Sequence, residues 1–320
     1  MQVIYGSREN ERVKRDSGVG LGNFDGLHIG HMTLINTLIN ESKLMGIDSI
    51  VYTFLKHPEN IIRKKLNTPI ITTINKKIEL LQSTGLDYLY FDDFDDAYSR
   101  MKPEEFIKDV LFKKLKVKLA VTGFDYRFGY KGEGNADLLK EAGKEYGFDV
   151  IVIPPVKIDD HIVSSTSIRQ YIAKGNIEKA NKFLGRQFSI TGTVKKGRRI
   201  GNTIGFPTAN ISLSEGIILP HTGVYITKTL IEDKVYSSVT SIGINPTFKE
   251  NLPISIETYI MDFDKDIYGK EIEVIFIKHL RNEKAFNSVD ELVEQIKTDV
   301  SDARRYFDST KLNELNSKTK

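Results

Sequence analysis

Apolar positions along the chain follow two different spacings. From residue 19 to about 153, short apolar runs at Val19 to Leu21, Ser49 to Phe54, Tyr88 to Phe91, Leu119 to Thr122 and Val150 to Ile153 read as buried strands. Between them, apolar residues recur every three or four positions and predict helices near 31–45, 75–83, 103–115 and 135–146, with Pro103 suited to a first helical turn. Strand and helix in alternation imply an α/β unit with a parallel sheet, whose ligands gather beyond the carboxyl ends of the strands. Pro154 and Pro155 stop the fifth run; two short helices follow near 166–174 and 176–184, the second closed by Gly185.

From about residue 188 the helical spacing disappears. Ile190 to Val194, Val224 to Ile231, Val235 to Ile242, Ile254 to Ile260 and Ile272 to Ile277 are strand-like, with a hairpin turn at Glu232-Asp233-Lys234. Closely spaced strands without intervening helices predict an antiparallel barrel. A last helix starts at Ser288, where Glu291 completes a capping box, and buries Val289, Leu292, Val293, Ile296, Val300, Ala303 and Phe307. The expected domains are 1–185 and 186–310, with a polar tail at 311–320 and fraying expected from Asp308 onward.

The 320 residues suffice for two cores. Forty-six basic against 43 acidic residues, net +3, give no support for a nucleic-acid polymer as partner. With no cysteine there is neither disulfide nor thiol chemistry. Met1 to Arg15 is charged and lacks the apolar core of a signal peptide, and no stretch approaches the roughly 20 apolar residues that span a bilayer. The expectation is therefore a cytoplasmic protein with no membrane partner. The acidic run Asp92-Asp93-Phe94-Asp95-Asp96 is expected to be a solvated loop.

The chemistry concentrates in Gly22-Asn23-Phe24-Asp25-Gly26-Leu27-His28-Ile29-Gly30-His31, where the first strand passes into the first helix. A helix N-terminus offers unpaired N–H groups and partial positive charge, and two imidazoles there can donate to phosphate oxygens. The alternatives are that His28 and His31 are ordinary loop residues or zinc ligands, but zinc lacks further ligands, the next histidine being His57. Two more clusters fall on the same sheet edge: Gly123-Phe124-Asp125-Tyr126-Arg127-Phe128-Gly129, and Ser164-Ser165-Thr166 with Arg169. Hydroxyls at a helix start often only cap it. Three in a row with a forked, permanently charged donor suit a second phosphate clamp. No Gly-x-x-x-x-Gly-Lys-Ser/Thr loop occurs, and the set favours nucleotidyl transfer, which needs positioning and charge neutralisation but no covalent nucleophile.

His28-Ile29-Gly30-His31 resembles the signature of the nucleotidyltransferase superfamily. With Gly22 to Gly26, Gly123 to Gly129 and Ser164 to Arg169, the first half is similar to the Rossmann-like adenylyltransferase half of bacterial bifunctional riboflavin kinases/FMN adenylyltransferases, the FAD synthetases. The resemblance implies that His28, His31 and Arg169 act on the ATP phosphates. It places Gly22, Asn23, Phe24, Gly30, Ser164, Ser165 and Thr166 around ATP, with Asn23 and Asp125 also lining the flavin nucleotide and metal region. Thr53-Phe54-Leu55-Lys56-His57-Pro58 departs from the family's Thr-Phe-x-Pro-His-Pro at Lys56.

In the second half, Thr208 and Asn210 of Gly205-Phe206-Pro207-Thr208-Ala209-Asn210 are two apart and could offer oxygens to a hard cation, or simply form a turn followed by a strand. Ser255, Glu257 and Tyr259 share a strand face. Gly205 to Asn210, Gly223-Val224-Tyr225, Gly243 to Phe248, Glu257-Thr258, Asp262 to Gly269 and Arg281-x-Glu283-x-x-Phe286 together resemble the riboflavin kinase domain. The resemblance makes Thr208 and Asn210 the magnesium site and Glu257 the base on the ribityl hydroxyl. It puts Arg281 at the flavin, and Ser241 stands where an Asn is common. The implied partners are riboflavin, FMN and ATP with Mg2+, and the oligomeric state is left open. A rival reading keeps the nucleotide fold but makes the barrel an RNA-binding module.

Overall fold

The computed structural model describes residues 1–6, 13–62, 68–197, 201, 204–213, 216–244 and 254–318. Two compact units, Met1–Ser165 and Thr166–Lys320, divide the chain. The Asn245 to Phe248 part of the kinase-like motif lies outside the described residues.

The first unit is built on six parallel strands: β1 (Gln2–Tyr5), β2 (Ser17–Leu21), β3 (Asp48–Phe54), β4 (Tyr88–Asp92), β5 (Val117–Gly123) and β6 (Asp149–Ile153), in the order β1-β4-β3-β2-β5-β6. The order reverses direction at β2, so the crevice beyond its carboxyl end is the topological switch point where such sheets take ligands. β1 is an edge strand that escapes the hydrophobic pattern, because a four-residue strand with one buried residue, Ile4, shows no periodicity.

Alternate strand residues feed two apolar layers. On one face Val51, Leu89, Phe91, Leu119 and Val121 pack with Leu34, Ile35 and Leu38 of α1 (Ile29–Met45) and Leu81 of α3 (Ile74–Gln82). On the other, Val19, Leu21, Ile50, Tyr52, Tyr90 and Ala120 pack with Phe106, Ile107, Val110 and Leu111, which follow α4 (Pro103–Glu105) in a wider π-type stretch at Phe106–Lys114, and with Leu139 of α5 (Ala136–Tyr146). Each fully buried aliphatic contributes about 1.5–3 kcal/mol. Gly18 and Gly20 on β2 face α1, and a Cβ on Gly18 would come 2.1 Å from Ser42 Oγ while one on Gly20 would come 3.1 Å from both Leu34 and Leu38. The helix can therefore lie close against the strand that delivers the turn at its N-terminus.

A short helix α2 (Pro58–Ile62) and a two-strand pair, β7 (Lys157–Ile158) with β8 (His161–Ile162), complete the first unit before α6 (Ser165–Ala173). In the second unit, α7 (Ile177–Leu184) leads to a closed antiparallel barrel of β9 (Phe188–Lys195), β10 (Thr208–Leu213), β11 (Gly223–Ile231), β12 (Lys234–Ile244), β13 (Ile254–Ile260) and β14 (Glu271–Arg281). Asn181 of α7 docks on this barrel, its amide donating to Phe276 O and accepting from Phe188 N. The final helix, α8 (Val289–Lys318), covers Val224, Ile226, Val239 and Ile277 with Ala303 and Phe307. Fraying after Phe307 is not what the structure shows. The helix continues to Lys318, since the polar segment contains good helix formers and no Gly or Pro to end it. No helix among the described residues is long and apolar enough to cross a membrane.

The barrel interior is lined in part by hydroxyls. Thr227, Thr229, Ser238, Thr240 and Thr258 are fully buried, and Thr227 Oγ1 lies 2.8 Å from both Ser238 Oγ and Thr240 Oγ1, while Thr240 Oγ1 lies 2.9 Å from Thr258 Oγ1. Thr229 Oγ1 donates to Ser238 Oγ at 2.8 Å. Thr240→Val should cost the barrel about 1–3 kcal/mol, because Thr258 loses its partner in the dry interior. Thr240→Ser should recover most of it, as read by urea denaturation followed by circular dichroism.

Candidate functional site

His28 is the N-cap of α1, with extended backbone (φ −73°, ψ 171°), and its Nδ1 accepts the His31 backbone N–H at 3.2 Å. That bond needs a bare Nδ1, so the neutral ring carries its proton on Nε2. The His28 and His31 rings stack, centroids 3.6 Å apart and planes 15° from parallel, and Phe24 meets His31 edge-on at 5.3 Å. A Cβ at residue 30 would come 3.3 Å from His28 Cε1 and Nδ1, so Gly30 leaves the ring uncrowded. Both imidazoles thus stand fixed at the positive end of a seventeen-residue helix, which is an anion site by geometry.

The turn that delivers them is strained. Phe24 (φ 47°) and Leu27 (φ 40°) adopt left-handed backbone although both side chains are bulky and buried. Such a conformation costs roughly 1–2 kcal/mol per residue. Buried bonds hold it in place. The Asp25 carboxylate accepts the backbone N–H groups of Ile71 at 2.9 Å and Thr72 at 3.2 Å, and Ser165 Oγ donates to Asp25 O at 2.8 Å. Thr53 Oγ1 and Lys77 Nζ both donate to Asn23 O at 3.0 Å. Burial lowers the Lys77 ammonium to about 8, with the Asp25 charge pulling it back up.

The structure therefore brings Gly22, Asn23, Phe24, His28, Gly30 and His31 into one strand-to-helix turn and ties Ser165, with Ser164 beside it, to that turn. Thr166 and Arg169 lie on α6 beyond the boundary between the units; Thr166 is exposed and Arg169 half-buried. Asp125 is exposed in the loop after β5, the strand next to β2.

At the carboxyl ends of β3, β4 and β5 an aromatic group gathers that the sequence did not single out. Phe54 lies 5.1 Å from Phe94 and 5.3 Å from Tyr98, and Tyr126 stacks on Phe128 at 5.7 Å. The acidic run is not uniformly solvated as expected. Asp92 is buried as the last residue of β4, accepting Tyr52 OH at 2.5 Å and Lys114 Nζ at 2.9 Å, while Tyr52 OH also meets Tyr98 OH at 2.8 Å. Burial and the Asp92 charge hold the Tyr52 hydroxyl well above the usual phenol range. Alternation of aromatics with Asp92 along β3 and β4 is the available signal. It was masked by the neighbouring acids.

In the second unit, Thr208 Oγ1 donates to Glu257 Oε2 at 3.2 Å, and Asn210 pairs across β10 and β13 with Glu257. Glu257 stands opposite Ser241 of β12 on its other side. Ile256, Thr258 and Ile260 face inward while Ser255, Glu257 and Tyr259 are half-exposed, so the predicted strand face is realised. A Cβ on Gly197 would come 2.3 Å from Asn210 Nδ2 and 2.9 Å from Oδ1, so a bare backbone adjoins the amide. Arg281 does not join this group. Its guanidinium forks onto Asp299 of α8, Nε to Oδ1 at 2.8 Å and Nη2 to Oδ2 at 2.8 Å, and Gln295 donates to the same carboxylate. Among the described residues no cluster of three or more His, Cys, Asp or Glu side chains is arranged to hold a metal ion.

Comparison with known proteins matches both units. The FAD synthetase family model covers residues 10–167 and the riboflavin kinase family model covers residues 184–307. The bifunctional riboflavin kinase/FMN adenylyltransferase of Buchnera aphidicola subsp. Schizaphis graminum is 37% identical, covering 96% of this chain and 99% of its own. That of Escherichia coli K12 is 36% identical over 97% and 99%. A solved structure from Streptococcus pneumoniae, described as a macrolide-efflux protein, is 32% identical with a TM-score of 0.87, covering 95% of this chain and 99% of that one. The shared architecture is what that structure contributes.

The capping bond of His28 separates stability from chemistry. His28→Ala should destabilise the first unit by about 0.5–2 kcal/mol, and His28→Asn, which still caps, should restore most of that. Thermal denaturation of the two variants beside the parent chain checks it.

Proposed function

The chain belongs to the family of bifunctional riboflavin kinases/FMN adenylyltransferases, and from that premise we propose how its two sites divide the work. Residues 186–310 transfer the γ-phosphoryl group of ATP to the 5′-hydroxyl of riboflavin, giving FMN and ADP. Residues 1–185 then join FMN to the AMP moiety of a second ATP, giving FAD and pyrophosphate. The observation that carries the reading is that each unit holds its own built site, the histidine pair at the start of α1 and the Thr208-Asn210-Glu257 group across β10 and β13.

In the barrel, Glu257 accepts the hydroxyl proton as the new O–P bond forms. Phosphoryl transfer has a loose transition state, so aligning the hydroxyl matters more than removing its proton early. The Thr208 hydroxyl and the Asn210 amide oxygen suit a hard divalent cation. They would hold Mg2+, which neutralises phosphate charge when bound. In the first unit the FMN phosphate attacks the α-phosphorus of ATP and the bond to pyrophosphate breaks. His28 and His31 donate to the phosphate oxygens as charge develops, backed by the N-terminus of α1 and by Ser164, Ser165, Thr166 and Arg169. Gly22 and Phe24 border the ATP, with Asn23 and Asp125 at the flavin nucleotide. Arg281, its guanidinium oriented by the fork onto Asp299, borders the flavin. The reaction belongs in the cytoplasm, with riboflavin, FMN and ATP as its partners.

Incubating the protein with riboflavin and Mg-ATP and separating the flavins tests the scheme: FMN and then FAD should accumulate, and flavin that stays riboflavin overturns it. Glu257→Ala should lower FMN formation about 100-fold while leaving FAD synthesis from supplied FMN. His31→Ala should lower FAD synthesis roughly tenfold to a hundredfold and leave FMN formation. If either variant loses both activities with an unchanged circular dichroism spectrum, the two sites are not independent.

A further inference from the structure

Lys77 is a buried cation to which the two-step scheme gives no task. It occupies a core position of α3, one turn before Leu81, and both side chains are buried. Its Nζ donates to Asn23 O at 3.0 Å, reaches Thr53 Oγ1 at 3.5 Å and lies 5.9 Å from the centre of the Phe91 ring. Filling that space needs no charge, and taking an ammonium out of water costs several kcal/mol, which the nearby Asp25 charge offsets only in part. What an apolar residue cannot do is hold a carbonyl oxygen. The carbonyl held here belongs to the residue before Phe24, where the strained turn begins.

We propose that Lys77 is a positioning residue for adenylyl transfer: by fixing the Asn23 carbonyl it sets the turn through Phe24 and Leu27 and so aims the stacked His28 and His31 rings at the nucleotide. The inference rests on reading residues 22–31 as the adenylyltransferase site. Two segments far apart in sequence converge on the turn, Thr53 and Lys77 on Asn23 O, and Ile71 and Thr72 on the Asp25 carboxylate. On Asn23 O, Lys77 is the charged donor where Thr53 offers a neutral one, and a charge-assisted bond is about twice as strong as a neutral one. A displacement of about 1 Å in such a site costs on the order of a hundredfold in rate.

The test compares Lys77→Met, which removes donor and charge while filling the space, with Lys77→Gln, which is neutral but still a donor. Both are made in the full chain, whose riboflavin kinase activity reports on the second unit. The expected result for Lys77→Met is a fall in kcat for FAD synthesis of about tenfold to a hundredfold. KM for ATP should stay within about threefold, with unchanged stoichiometry of a non-hydrolysable ATP analogue and unchanged kinase activity. Lys77→Gln should recover most of the lost kcat. Rates for Lys77→Met within twofold of the parent overturn the proposal. So does equal impairment of both variants with reduced analogue stoichiometry, which makes Lys77 a folding residue only. A parent chain that forms no FAD at all defeats the reading of the site itself, a result separable from either of these.

Discussion

The grip of the Asp25 carboxylate on the backbone of Ile71 and Thr72 is the constraint on which the first unit's chemistry depends. Without it, two bulky residues in left-handed backbone would relax, and the histidines that follow them would turn with the chain. Strain at Phe24 and Leu27 is thus offset by charge-assisted bonds to residues almost fifty positions away. The sheet order places this well-anchored turn at the switch point beside β2, the edge at which sheets of this kind take ligands.

The barrel reaches the same end by other means. Its site residues lie on regular strands, and cross-strand register alone sets Asn210 and Ser241 on either side of Glu257. Inside, a chain of hydroxyls runs among the aliphatic side chains, and each link is satisfied by a neighbour on the adjacent strand. Precision comes here from the ladder, where in the first unit it comes from pinned loops.

Much of this was legible in the order of residues. The α/β alternation, the barrel and the helix start at His28 follow from periodicity and capping chemistry, which act locally. The Gly22 to His31 turn was legible as a strand-to-helix junction because its whole geometry is contained in ten consecutive residues. Lys77, Asp92 and the Phe54, Phe94 and Tyr98 group were not, because their meaning depends on contacts between segments 40 to 54 residues apart. Asp92 in particular sat among acids that are solvated, and only its pairing with Tyr52 and Lys114 distinguishes it. Arg281 belongs with these: its motif gave no sign of Asp299, the partner one helix away onto which its guanidinium forks.

On the strand side of the contact with α1, Gly18 and Gly20 present only hydrogen atoms, and Leu34, Leu38 and Ser42 of the helix rest against them. The strand's half of that contact has no rotamers with which to adjust, so it acts as a fixed ledge. Variation among the larger side chains deeper in the same layer can be absorbed by repacking away from the ledge. The seat of α1 on that ledge thereby fixes the height at which the first turn of the helix, with His28 and His31, stands above the sheet.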